Sequence, residues 1–251
     1  MYTNARRLSK KTDNLFKHFE NRKSFTINEI YGFFSQTQPN IKKATVNWRI
    51  YNLVQKGLLR RIGRGIYSLG KENCFSPILD RKQKNIFVLI KKQFPLITFC
   101  CWHTALLKEF FQHVPMYDFL LVEVEREAID SVFLSIKETN KDTFKEPSRD
   151  VIENYVFNGK DAIIVKSLIS EAPLQDIDNI IVPTIEKILV DLYADREIFF
   201  FLQGNEMLSI FKSALGKYTV NTDRLLRYAK RRNKREELQK ILAQINGKNR
   251  E

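Results

Sequence analysis

The sequence predicts an α+β protein of two domains. The first is a small basic head of helices closed by a hairpin (residues 1–72); the second is a mixed α/β domain with a helical C-terminal half (residues 73–251). Three observations carry that expectation. Apolar residues recur at helical spacing through the head and then alternate on both sides of Gly63-Arg64-Gly65. Strand-like apolar runs at 119–125 and 162–166 stand between helical segments. Charge also divides along the chain: 15 Lys/Arg against 4 Asp/Glu in residues 1–72, 16 against 21 in 73–216, and 11 against 4 in 217–251, so that +11, −5 and +7 make up the total of +13.

With 251 residues, 43% hydrophobic and 12% aromatic, the chain has enough apolar side chain for a core, which excludes a disordered basic tail protein. The apolar run at 86–90 is broken by Lys91 and Lys92, far short of the roughly 20 residues of a membrane helix. The N-terminus has charge but no apolar run behind it, so no secretory signal is expected and the location expected is cytoplasmic. Cys74, Cys100 and Cys101 are odd in number and match no zinc spacing, so reduced thiols are expected, with neither a disulfide framework nor a metal site. No cofactor is expected.

In the head, Leu15, Phe16 and Phe19 mark a short helix over 12–19. Thr26 followed by Glu29 has the spacing of a reciprocal capping box, opening a helix whose apolar face is Ile27, Ile30, Tyr31 and Phe34. Pro39 makes 36–40 a turn, and a third helix runs over 41–56 until Gly57 stops it. Val46, Ile50, Leu53 and Val54 share its inner side. Thr45, Trp48, Arg49, Asn52 and Lys56 share the other, with Lys42 and Lys43 in the first turn, in reach of phosphates. The hairpin that follows projects Arg60, Arg61 and Arg64. A helix-turn-helix followed by an Arg-bearing hairpin is the order of a winged helix, which lays its third helix in a major groove and its wing along the backbone or in the minor groove. The candidate DNA-binding residues are therefore Lys42, Lys43, Thr45, Trp48, Arg49, Asn52, Arg60, Arg61 and Arg64. For Trp48 a half-buried packing role stands beside base contact.

A polar joint over 71–77 leads to the second domain. The expected order is a helix over 81–93, a strand over 96–101, a helix over 102–112, a strand over 119–125, a helix over 127–138, a short strand at 143–145 and a strand over 162–166. Pro183 is read as the first-turn residue of a helix that continues, apolar, to about 215; Asn221 or Thr222 caps a last helix or helix pair through 245. Catalytic chemistry is scarce. No Gly-rich phosphate loop or Gly-x-Ser-x-Gly elbow is present, and His103 and His113 are ten apart with no ligand to complete a site, which makes them structural or surface residues. Glu123-Val124-Glu125-Arg126 comes nearest to a nuclease strand and lacks the Lys. Glu186, Lys187, Asp191 and Asp195 read as a salt-bridged structural helix, whose apolar residues account for its buried side. Arg224, Arg227, Lys230 and Arg231 fall three or four apart along one stripe, a candidate surface for an acidic partner or a nucleic acid.

The segment from Ala44 to Leu59 followed by Arg64-Gly65-Ile66-Tyr67 resembles the N-terminal winged helix of AbiEi-type antitoxins of bacterial abortive-infection systems. The segment from Pro183 to Leu192 and the run from Arg224 to Ala229 resemble the C-terminal half of the same proteins. The resemblance implies a type IV antitoxin and not an enzyme. Its winged helix binds repeats in its own promoter and represses the operon in phage defence, as protomers paired on inverted half-sites would, and its C-terminal domain opposes a cognate nucleotidyltransferase toxin. The helix-three residues and Arg64 are the positions that carry over for DNA; the stripe from Arg224 to Arg231 is the candidate toxin-facing surface. Two alternatives remain: a DNA-targeted nuclease or nucleic-acid-modifying enzyme, and a ligand-sensing repressor with no toxin partner.

Overall fold

The structure, a computed structural model, describes residues 14–22, 24–55, 58–70, 73–110, 117–159 and 161–247. Of the sequence expectations, Lys56, Gly57, His113, the helix start at 12 and the joint residues 71–72 lie outside them. The chain is mixed α/β and divides into two compact units, Met1–Cys74 with Tyr218–Asp223, and Phe75–Lys217 with Arg224–Glu251. The segment Tyr218–Asp223, which the sequence reading assigns to the second domain, thus groups with the head. Asn73 and Thr219 tie it there: Asn73 N donates to Thr219 Oγ1 at 3.1 Å, and Thr219 N donates to Asn73 O at 3.0 Å.

In the first unit, α1 (residues 14–19), β1 (Phe25–Thr26), α2 (Ile27–Thr37), α3 (Lys43–Gln55), β2 (Leu59–Gly63) and β3 (Ile66–Leu69) follow in order. The Thr26 capping box forms: Thr26 Oγ1 accepts from Glu29 N at 3.2 Å, and Thr26 N donates to Glu29 Oε2 at 2.7 Å. Pro39 bars continuation of α2, which closes with Gln38 N donating to Phe34 O at 2.9 Å. The strands form an antiparallel sheet in the order β1-β3-β2, with a bulge between Arg61 and Gly63. Gly65 turns the hairpin at φ +68°, where a side chain would be strained. Leu15, Phe19, Phe25, Ile30, Phe34, Val46, Ile50 and Leu59 fill one core, with Phe19 stacked on Phe25 at 4.1 Å between centroids.

The second unit is built on a four-stranded sheet in the order β4-β5-β7-β6, from β4 (Phe99–His103), β5 (Leu120–Val124), β6 (Thr143–Lys145) and β7 (Ile163–Ser167). β4 is antiparallel to β5, while β5, β7 and β6 run parallel. Helices α4 (Arg81–Gln93) and α5 (Ile129–Thr139) cover one face, where Ile86, Phe87 and Ile90 meet Val122, Val124, Val132, Ile136 and Val165. The short helix α6 (Arg149–Val151) widens into a π-type turn that closes with Phe157 N donating to Ile152 O. A hairpin of β8 (Leu174–Ile177) and β9 (Ile180–Pro183) follows, then α7 (Ile185–Ala194), α8 (Asn205–Lys217), α9 (Thr222–Arg231) and α10 (Arg235–Gly247).

Several elements differ from what the sequence predicts. The strand expected at 96–101 begins at Phe99 and continues through His103, because Trp102 and His103 pair with Leu121 and Leu120; the helix expected over 102–112 is a run of 3-10 turns, Thr104–Phe110. Pro183 ends β9 and Thr184 is the N-cap residue of α7. The apolar helix expected to 215 breaks after Ala194: Phe199, Phe200 and Phe201 pack as aromatic fillers, Phe199 lying 6.1 Å from Trp102, and Gly204 turns at φ +69° before α8. The thiols of Cys100 and Cys101 are buried and that of Cys74 is exposed, all three unbridged.

Candidate functional site

On α3, Val46, Ile50 and Leu53 anchor the inner side and leave an outward stripe. Trp48 is 59% exposed and Tyr51 61%, so Trp48 is a surface ring and not a packing residue. Lys42, Lys43 and Thr45 are exposed at the start of the helix, beside Ala44 and Asn47. Arg49 and Asn52, expected on the outward side, lie half-buried on the flank. The Arg49 guanidinium sits 4.8 Å from the Phe34 ring centroid and its Nη2 donates to Gln38 Oε1 at 3.0 Å, while its buried Nη1 has no hydrogen-bond partner among the described residues. The sequence reading passes over Tyr51, Asn47 and Gln55, although a wheel at about 100° per residue sets Tyr51 and Gln55 beside Trp48 and turns Arg49 about 100° away.

The start of α3 borders a hollow of about 440 Å³, lined by Gln38, Asn40, Lys42, Thr45 and Arg49. Its chemistry suits a phosphate: a helix N-terminus, an ammonium, a hydroxyl and a guanidinium. In the hairpin, Arg61 and Arg64 are exposed, Arg64 at the turn, and Arg61 Nε donates to its own hairpin at Gly63 O at 3.2 Å. Arg60 is half-buried and donates to Ser68 Oγ, which takes it out of the projecting set.

The second unit hides a different kind of site, on the sheet face opposite α4 and α5. Glu123 Oε1 accepts from Trp102 Nε1 at 2.9 Å and from Lys187 Nζ at 2.5 Å. Lys187 Nζ also donates to Asp191 Oδ2 at 2.6 Å, and Tyr228 OH donates to Asp191 Oδ1 at 2.9 Å. Lys166 Nζ donates to Asp195 Oδ2 at 2.5 Å and lies 4.0 Å from Glu123 Oε2; Arg232 pairs with both Asp195 and Asp191. Three carboxylates thus meet three cations. Burial by itself raises the Glu123 carboxyl, but the ammonium groups of Lys187 and Lys166 outweigh it and hold it down at about 2. Burial disfavours a charged Lys187, yet Asp191 and Glu123 keep it protonated well above the ordinary lysine range. Burial pushes the Asp191 carboxyl up.

Only the edge of this network reaches solvent. A cavity of about 540 Å³ beyond the ends of β6 and β7 is lined by Ser167, Lys166, Asp195, Arg196, Arg232 and Lys234. The cations around it are already paired, Lys166 and Arg232 with Asp195, and Arg196 and Lys234 with Glu237. The helix read as amphipathic from sequence is buried all round from Ile185 to Leu192, its charges included. His103 is half-buried, and its Nδ1 accepts from Ala105 N at 3.2 Å. Among the described residues no group of three or more His, Cys, Asp or Glu side chains is arranged to hold a metal ion, and no helix is long and apolar enough to cross a membrane.

On α9 the residues Arg224, Arg227, Lys230 and Arg231 are all exposed, opposite the buried Leu225, Tyr228 and Ala229. The stripe is partly neutralised: Arg231 pairs with Glu171 and holds that carboxyl below its ordinary range, and Arg224 lies 4.0 Å from Glu186. A family model described as a family of unknown function, DUF6577, matches residues 45–248, and no curated protein matches the chain.

Proposed function

We propose that this chain, which belongs to the DUF6577 family, is a cytoplasmic DNA-binding repressor whose head is a winged helix and whose second domain is the antitoxin half of an AbiEi-like type IV system. One observation carries the DNA reading. The head presents Lys42, Lys43, Thr45 and Trp48 on an exposed helix, and Arg61 and Arg64 on a hairpin, while its core is filled from the other side of the same helix. Exposed cations beside a solvent-facing helix are what a duplex needs from its reader, since phosphate contacts position the helix and base edges are read from it.

Gel-shift titration with the DNA upstream of its own gene tests the proposal. Lys42→Ala with Arg64→Ala is expected to weaken binding and to lower the slope of affinity against salt by roughly one for each phosphate no longer neutralised. Unchanged affinity and slope would remove the head from DNA binding.

The antitoxin half rests on the likeness of the segments from Pro183 to Leu192 and from Arg224 to Ala229 to AbiEi-type proteins, and on the solvent-facing stripe of α9. Co-expression with a nucleotidyltransferase-like neighbouring gene tests it: wild type is expected to restore growth, and Arg227→Glu with Lys230→Glu to lose that rescue. Burial of Glu123 under Trp102 and Lys187 supports a protein that is not a nuclease, since the carboxylate nearest to a nuclease motif meets no substrate there.

A further inference from the structure

Past its first residue, the outward face of α3 carries no charge among the described residues. Ala44, Asn47, Trp48, Tyr51 and Gln55 point to solvent, and between Lys43 at its first residue and Gln55 at its last the only cation on α3 is Arg49. Arg49 is held on the flank, bonded to Gln38 and set over the Phe34 ring.

We infer that this face selects A·T-rich duplex, read by Asn47 and, toward the far end, Gln55 on adenine and by Trp48, Tyr51 and Ala44 on thymine methyl groups. The inference rests on the DNA-binding reading above and adds the class of sequence bound.

In the major groove adenine offers N7 and the N6 amino group, a pair that the carboxamide of Asn or Gln matches with two hydrogen bonds; thymine offers a methyl group that suits an apolar surface; guanine offers two acceptors that suit Arg or Lys. Beyond Lys43 and Thr45 in its first turn, the exposed set on α3 holds carboxamides, rings and a methyl. Of the side chains suited to guanine, Lys43 stands with Lys42 at the start of the helix, which borders the hollow that suits a phosphate, and Arg49 would have to leave both Gln38 and Phe34 to reach a base. The hairpin points the same way through separate residues. Arg61 and Arg64 are exposed there, and the narrow, strongly negative minor groove of A·T tracts is where inserted Arg side chains are most favoured.

Selection of duplexes by the full-length chain from a random pool, followed by titration of the winners, tests this. Retained duplexes are expected to be enriched in A·T at the positions under α3, and replacing one of those pairs by G·C is expected to cost about tenfold in affinity. Replacing thymine by deoxyuridine removes the methyl and keeps every hydrogen bond. It is expected to weaken wild type severalfold and to leave Trp48→Ala with Tyr51→Ala indifferent. Asn47→Ala is expected to relax preference at one base pair without changing the salt slope. All three residues are exposed, so these variants keep the core of the head intact. A pool enriched in G·C under α3, or a preference unmoved by the variants, overturns this inference while duplex binding stands. Failure to retain any duplex removes the DNA-binding reading and this inference together.

Discussion

The head buries hydrocarbon, from Leu15 and Phe19 in α1 to Leu59 and Tyr67 in the hairpin, and Ser68 is the one polar residue buried there among those described. The second unit buries hydrocarbon on one face of its sheet and, on the other, Glu123, Lys187 and Asp191, with Lys166, Asp195 and Arg232 leading out to solvent. The two ways of filling an interior respond differently to damage. Burial of apolar area is non-directional, so removal of a methyl group costs in proportion to the space it leaves. A buried ion pair gives little net stability when whole, because desolvation offsets the attraction, yet it is costly to break, because the survivor is left charged and dry. The head therefore fails by degrees, and the second unit fails at particular atoms.

The largest expected effect tests that difference at its centre. Lys187→Met keeps the unbranched apolar stem and removes the ammonium that is the nearest cation to Glu123 and Asp191, so the second unit is expected to lose about 3–5 kcal/mol, and adding Glu123→Gln is expected to restore part of the loss. The two tryptophans separate the readouts, since Trp48 stands exposed in the head and Trp102 buried in the second unit. Only the transition seen by Trp102 is expected to move. Ile30→Ala is the matched injury to the head, expected to cost about 2–5 kcal/mol by cavity formation and to shift only the signal of Trp48.

Acid sharpens the contrast. The carboxyl of Glu123 falls from its usual 4.5 to about 2 in the fold, so its contribution is complete above 4.5 and is lost as pH falls toward 2. Asp191, raised by burial, works with the opposite sign and offsets part of that loss. Denaturation of the second unit followed by Trp102 between pH 5 and pH 2, about the range set by those two values, is expected to show falling stability, and in Glu123→Gln the dependence is expected to flatten. The smallest effect belongs to the head: Thr26→Ala removes the capping box and is expected to cost about 1 kcal/mol by urea denaturation, with no change at Trp102.

The same difference explains what can be read from sequence. Periodicity makes the head legible, down to the reciprocal bonds of Thr26 and Glu29, because its stability comes from local caps and from a stripe that repeats every turn. Strands β5 and β7 are legible as apolar runs. The β8–β9 hairpin is passed over although Asp178-Asn179 sits between Ile177 and Ile180. Both turn residues have positive φ, 53° and 63°, which is the signal of a two-residue hairpin turn. Of the buried network, the Lys187–Asp191 pair is visible at i, i+4. Glu123 is 64 residues from Lys187, and no period connects them. On α3, spacing locates the exposed helix and sets Arg49 on its flank, but does not tell that Phe34 and Gln38, on another helix and in a turn, hold it there.

The pairing of β5 with β7 sets Glu123 directly across from Lys166. A slip of one residue in β5 would send Glu123 into the layer of Ile86, Phe87, Val132 and Ile136, away from Lys187 and Trp102, and bring Val122 and Val124 onto the charged side. Hydrocarbon alone discriminates poorly here, since both neighbouring parities of β5, Leu120-Val122-Val124 and Leu121, are apolar. A single carboxylate with one dry address acts as a checksum on the alignment of the sheet, and the error it detects costs several kcal/mol.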